Sequence, residues 1–82
     1  MTEVVWTEPA VDDLAEIDVK TAKRIQRAVR RFASDHEGDV KKLAAQGDIW
    51  RLRVGDFRVI FEMSRGMVTV LRVLNRSRAY RE

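Results

Sequence analysis

Ile49-Trp-Arg-Leu-Arg-Val-Gly-Asp-Phe-Arg-Val-Ile-Phe-Glu-Met63 is the stretch that decides the fold. Its first part places Trp50, Leu52 and Val54 on one side and Arg51 and Arg53 on the other. This is the period of two that a half-buried strand requires. Gly55-Asp56 then separates two β-prone runs, as a tight hairpin turn does. Beyond it Phe57, Val59, Phe61 and Met63 alternate with Arg58 and Glu62. Ser64-Arg65-Gly66 reads as a second turn. Residues 67–74 form a third run, apolar on both faces except at Thr69 and Arg72, which is the pattern of a central strand. The three runs predict an antiparallel meander with Trp50, Leu52, Val59 and Phe61 on its buried face. The opposite face then carries Arg51, Arg53, Arg58 and, if the registers allow, Arg72. The polar tail, residues 75–82, is expected to follow the last strand onto its edge.

Working outward, Val4-Val5-Trp6 is a short β-prone run. Thr7, Glu8 and Pro9 start a helix: a hydroxyl to cap free N–H groups, then a proline tolerated in the first turn. Asp12 and Asp13 lie near the positive end of its dipole, and Ala10, Leu14 and Ile17 supply its apolar stripe. A second helix is predicted over residues 19–34, capped by Asp18. Ala22, Ile25, Val29, Phe32 and Ala33 share its buried side. Lys20, Lys23, Arg24, Arg27, Arg30 and Arg31 fill the other side, which reads as a solvated face. The signal weakens over residues 35–47, where Lys41-Lys42-Leu43 is a turn or a short strand that tucks Leu43 inward. The expected fold class is α+β, in the order β-α-α-β-β-β. A helical hairpin packs on one face of a small antiparallel sheet.

Composition narrows the function classes. Eighty-two residues, 45% of them hydrophobic, suit one globular domain spanning residues 1–82 and argue against disorder. The absence of cysteine excludes a disulfide, a thiolate nucleophile and a zinc–cysteine site. No apolar run approaches the length of a membrane span. The opening MTEVVWTEP lacks the basic and apolar regions of a signal peptide, so a cytoplasmic protein is expected. The net charge of +3 conceals an asymmetry. Residues 1–48 carry eight basic and ten acidic side chains, whereas residues 49–82 carry eight basic and three acidic. All eight basic residues of the second part are arginine. Arginine suits phosphate because its planar fork grips two oxygens and keeps its charge. The pattern is either a solvated set of strand-face charges or the mark of a polyanionic partner; on the second reading Arg53, Arg72, Arg78 and Arg81 are expected to bind phosphate.

Three segments together resemble the RelE/ParE toxin superfamily. They are Trp50–Glu62, the ending from Val70 to Tyr80 and Arg81, and the opening Val5–Leu14. The resemblance implies a bacterial toxin of a type II toxin–antitoxin pair. In the RelE branch it implies a ribosome-dependent endoribonuclease that cleaves mRNA through the ribose 2′-OH, with no metal or other cofactor. Its implied partners are a cognate antitoxin, the ribosome and mRNA. In the ParE branch the target is DNA gyrase instead. Carried over residue by residue, Arg51 stands where the nuclease branch often has lysine. Arg53 matches a family arginine, and Arg58 matches the arginine that stabilises the transition-state phosphate. Arg76 matches a tail arginine, and Tyr80 a tyrosine that stacks on substrate or takes part in proton transfer. The catalytic set so implied is Arg51, Arg58, Arg76 and Tyr80.

Two positions depart from the nuclease pattern. Ile49 stands where that branch can carry a basic residue, and Asn75 where many relatives have His or Lys. Cleavage through a 2′-OH needs a proton acceptor, a proton donor and charge stabilisation. The arginines serve the last need; their pKa is too high for a routine base. Tyr80 serves as base only if neighbouring arginines lower its pKa. Glu62 is either a base or an arginine partner. His36, the sole histidine, reads as a surface residue far from the motif. Three outcomes stay open: the nuclease, the gyrase poison, and a non-toxic relative that keeps only antitoxin binding. In each, an acidic or amphipathic antitoxin segment is expected to cover the arginine face.

Overall fold

The computed structural model describes residues 2–43 and 47–75. Strand β1 (Glu3–Trp6) leads into helix α1 (Glu8–Ala15) and helix α2 (Val19–Asp35). Four strands follow: β2 (Asp39–Lys42), β3 (Ile49–Val54), β4 (Phe57–Ser64) and β5 (Met67–Asn75). They form one sheet in the order β1-β5-β4-β3-β2. The meander β3–β4–β5 is antiparallel, and β2 extends it antiparallel beside β3. β1 joins parallel to β5, with Val4 opposite Val68 and Trp6 opposite Val70. The sheet is therefore mixed, and β5 is interior, as its two-sided apolar pattern requires.

Both helix starts follow from their caps. Thr7 Oγ1 accepts from the Ala10 amide at 3.4 Å and donates to the Val70 carbonyl at 2.9 Å, so one hydroxyl caps α1 and ties it to β5. Asp18 accepts from the Thr21 amide at 3.1 Å, and these bonds hold its carboxyl below the usual range. His36 ends α2 in the left-handed region (φ 59°) and sets its ring edge-on against Phe32.

The core lies between the helices and one sheet face. Ile25, Val29, Phe32 and Ala33 from α2 and Ala10 from α1 meet Leu52, Val59, Phe61, Val68, Val70 and Val73. The rings of Phe32 and Phe61 meet at a tilt, with centroids 5.2 Å apart and planes inclined by 56°. Trp6, Trp50 and Phe57 are partly buried against this cluster. Among the described residues no helix is long and apolar enough to cross a membrane.

One expectation fails. Leu43 does not tuck inward; it is 50% exposed. The residue of this segment that packs on the core is Val40, paired with Leu52, because β2 runs opposite β3 in the register that puts Val40 on the helix side.

Candidate functional site

The sheet face away from the helices is built by register. Arg53 stands directly opposite Arg58 across β3 and β4, and Arg51 opposite Ile60. On the far side of β3, Asp39 pairs with Arg53 and Lys41 with Arg51. On the far side of β4, Arg58 faces Leu74 and Ile60 faces Arg72. The hairpin thus gathers Arg51, Arg53 and Arg58 on one surface. Two details of its turns hold that register. Gly55 takes φ 60° in the β3–β4 turn, and the β4–β5 turn puts Arg65 (φ 50°) and Gly66 (φ 74°) both in the left-handed region.

The members of this surface differ in how they are engaged. Arg51 is largely covered and donates to Asp39, to the backbone oxygen at 3.1 Å and to Oδ1 at 3.3 Å. Arg58 is 9% exposed and is the only charged residue among the buried described residues. Arg53 is exposed and makes no hydrogen bond or ion pair within the described residues. Arg72 has the register of this face, but its guanidinium turns to α1. Nε lies 2.7 Å from Asp13 Oδ2 and Nη2 lies 3.1 Å from Oδ1.

A bulge explains that turn. Phe61 pairs with Val70 and Ile60 with Arg72, which leaves Leu71 as an extra residue in β5. β1 covers β5 only as far as Val70, so the amide of Val73 lies on an open edge. Asp13 closes it, accepting from the Val73 N–H at 2.9 Å. The two bonds from Arg72, with the bond from Val73, hold the Asp13 carboxyl below its usual range, against an opposing push from burial. The same pair raises Arg72. Sequence reasoning missed Asp13 as an arginine partner; its only signal was an acid on the helix that follows β1.

Glu62 lies on the outer face as its alternation predicts, exposed, with Ile49 and Thr69 as its strand neighbours. His36 is exposed beyond the C-terminus of α2, on the helix side of the sheet, away from the arginine set. Arg76, Arg78, Tyr80 and Arg81 lie outside the described residues. The described part of this face therefore sets Arg53 and Arg58 opposite each other, with Arg51 beside them on β3. Among the described residues the strand carboxylates of this face are Asp39, directly opposite Arg53, and Glu62, further along β4.

Residues 4–80 match the family model described as the ParE toxin of a type II toxin–antitoxin system, parDE. No curated protein sequence matches the chain. The chain is similar in structure to an archaeal RelE–RelB complex from Pyrococcus horikoshii OT3, with a TM-score of 0.77 and 25% identity over 94% of this chain and 97% of that one. It is also similar to the RelB–RelE antitoxin–toxin complex of Methanococcus jannaschii, with a TM-score of 0.78 and 24% identity over 93% and 94%. A chromosomal ParDE system from P. aeruginosa gives a TM-score of 0.71 and 16% identity over 92% and 96%.

Proposed function

We propose, from the premise that this chain belongs to the ParE toxin family of type II toxin–antitoxin systems, that it is a ribosome-dependent mRNA endoribonuclease held in check by an antitoxin. One observation carries the reading: Arg53 and Arg58 stand directly opposite each other on the outer face. A backbone phosphate set against two neighbouring guanidinium forks accepts charge-assisted bonds from them. In this reaction the ribose 2′-oxygen attacks the adjacent phosphorus while the 5′-oxygen leaves. The products are a 2′,3′-cyclic phosphate and a 5′-hydroxyl. The proton taken from the 2′-OH and the one delivered to the 5′-oxygen require an acceptor and a donor. Arg58 and Arg53 hold the charge that builds on the phosphate between those transfers. Arg51, fixed by Asp39, borders the site and does not turn over in the reaction. The antitoxin partner is one whose acidic segment covers the same face.

The test is induction in cells with transcript mapping. Cleavage within translated mRNA is expected, and Arg58→Ala is expected to lower it by about 10²–10³-fold, the worth of one transition-state charge contact. Because Arg58 is buried, Arg58→Lys and a circular-dichroism spectrum accompany it to separate lost chemistry from lost fold. A second reading is favoured by Arg51 and Arg72 both being bound to carboxylates. It is a gyrase poison that needs no phosphate-cleaving set. Growth arrest with intact transcripts and trapped gyrase–DNA complexes would replace the first reading with the second.

A further inference from the structure

The two helices carry opposite charge. α1 holds Glu8, Asp12 and Asp13, whereas residues 19–34 hold six basic residues and no acid. Lys20, Lys23, Arg24, Arg27 and Arg31 recur at spacings of three and four, so each stands beside a like charge, an arrangement that costs helix stability. Part of this helix lines a cleft of about 680 Å³ against the β3–β4 turn, with Arg24, Arg27, Arg30 and Arg31 on one wall and Arg53 and Val54 on the other. The Arg24 guanidinium reaches the turn itself: a Cβ on Gly55 would sit 3.4 Å from Nη1. Of these arginines only Arg31 makes an ion pair among the described residues, although Asp39 stands opposite Arg53 in the strand register. Glu37 lies 3.8 Å from Arg31 with both side chains about 70% exposed, a weak pair. Arg24, Arg27, Arg30 and Arg53 make no hydrogen bond or ion pair within the described residues.

We infer that this cleft binds the backbone phosphates of double-helical nucleic acid, as a site beside the outer-face pair that shares only Arg53 with it. Three observations select this occupant. The lining holds five guanidinium forks against one carboxylate, Glu37, and such forks suit phosphate oxygens. The lining holds no aromatic side chain, so it offers no platform on which single-stranded bases stack. None of the exposed large hydrophobics (Val5, Val11, Val19, Leu43 and Met67) lines the cleft, so a protein segment would lack an exposed apolar anchor. Arg53 belongs both to this cleft and to the outer face. A duplex seated on α2 therefore abuts the site that faces the reacting strand.

The experiment measures binding of a labelled RNA duplex to the full chain across a salt series. Arg24→Gln/Arg27→Gln/Arg31→Gln is compared with wild type and with Lys42→Gln/Arg65→Gln, which removes charge elsewhere. The triple variant is expected to bind about 10–100-fold more weakly at low salt, with a log–log salt slope shallower by about 2–3. Arg58→Ala, which strikes the outer face, is expected to keep duplex binding. Glutamine sustains a helix, and a thermal melt of each variant confirms the fold. The inference is overturned if the triple variant binds with the slope of wild type. It is equally overturned if Arg58→Ala abolishes duplex binding, or if poly-glutamate binds this cleft more tightly than the duplex does. None of these results depends on whether mRNA is cleaved.

Discussion

Helix α1 and helix α2 pack on the same sheet face and use charge in opposite ways. Asp13 of α1 takes two bonds from Arg72 and one from the Val73 amide, so its charge is spent inside the molecule. The arginines of α2 find almost no acid in the described chain, and their repulsion goes unrelieved. The lesson is that an arginine count says little about function until each guanidinium is assigned a partner. Arg72 and Arg51 are held by Asp13 and Asp39, which leaves them structural first. Arg53 and the α2 row, apart from the exposed Arg31–Glu37 pair, make no such contact among the described residues.

The comparison can be broken at its packing. Ile25 anchors α2 with no exposure, whereas Val11 on α1 is 49% exposed. Ile25→Ala is expected to cost about 2–5 kcal/mol in urea unfolding, and Val11→Ala to stay within about 0.5 kcal/mol. Equal losses would mean that the helices are anchored alike.

Next in size is the α1 clasp. Asp13→Ala removes a carboxylate that answers three donors, one of them on a half-exposed arginine, so a loss of about 1–2 kcal/mol is expected. The pH dependence has a definite sign. The folded carboxyl is held below its ordinary value, so its contribution is complete above the unfolded Asp value of about 3.9. It is lost as pH falls from there through the depressed value. Wild type should lose stability over that acid range more steeply than Asp13→Ala; parallel curves would refute the clasp.

A smaller effect with the opposite sign is expected on α2. Arg27→Glu exchanges like-charge neighbours at Lys23, Arg24, Arg30 and Arg31 for attractive ones. At a few tenths of a kcal/mol per pair it should raise stability by about 0.5–1 kcal/mol, and less at high salt. A destabilised variant would show that the row already has a partner within the chain. The smallest effect belongs to Asp39→Ala. Its pair with Arg51 sits at 3.3 Å with an exposed carboxylate, so a change below about 0.5 kcal/mol is expected by thermal melt. A larger loss would move Arg51 into the class of Arg72.

Much of the fold was legible because it is local. The alternation of residues 49–63 and the Gly55-Asp56 turn specify the hairpin register, and the caps at Thr7 and Asp18 specify both helix starts. β2 was legible only as one alternative, a turn or a short strand at Lys41-Lys42-Leu43, since Asp-Val-Lys-Lys is too short and polar to show a period. The direction of β1 was not legible: Val-Val-Trp pairs equally well either way, and only its place beside β5 makes it parallel. In the candidate site, alternation put Arg51, Arg53 and Arg58 on one face correctly. It gave no sign that Arg58 is buried or that a bulge at Leu71 sends Arg72 to an acid 59 positions away.

What the sequence determined by itself is therefore periodic: which side chains share a face, where strands turn, and that the basic charge of the second half is all arginine. Tertiary structure decided which of those arginines are neutralised. That outcome rests on contacts between distant segments: the Asp13 clasp on the open edge of β5, the Asp39 pair across β2, and the approach of α2 to the β3–β4 turn. Spacing along the chain carries no information about such contacts, because a charge pair is made by distance in space and by the edge the sheet leaves uncovered.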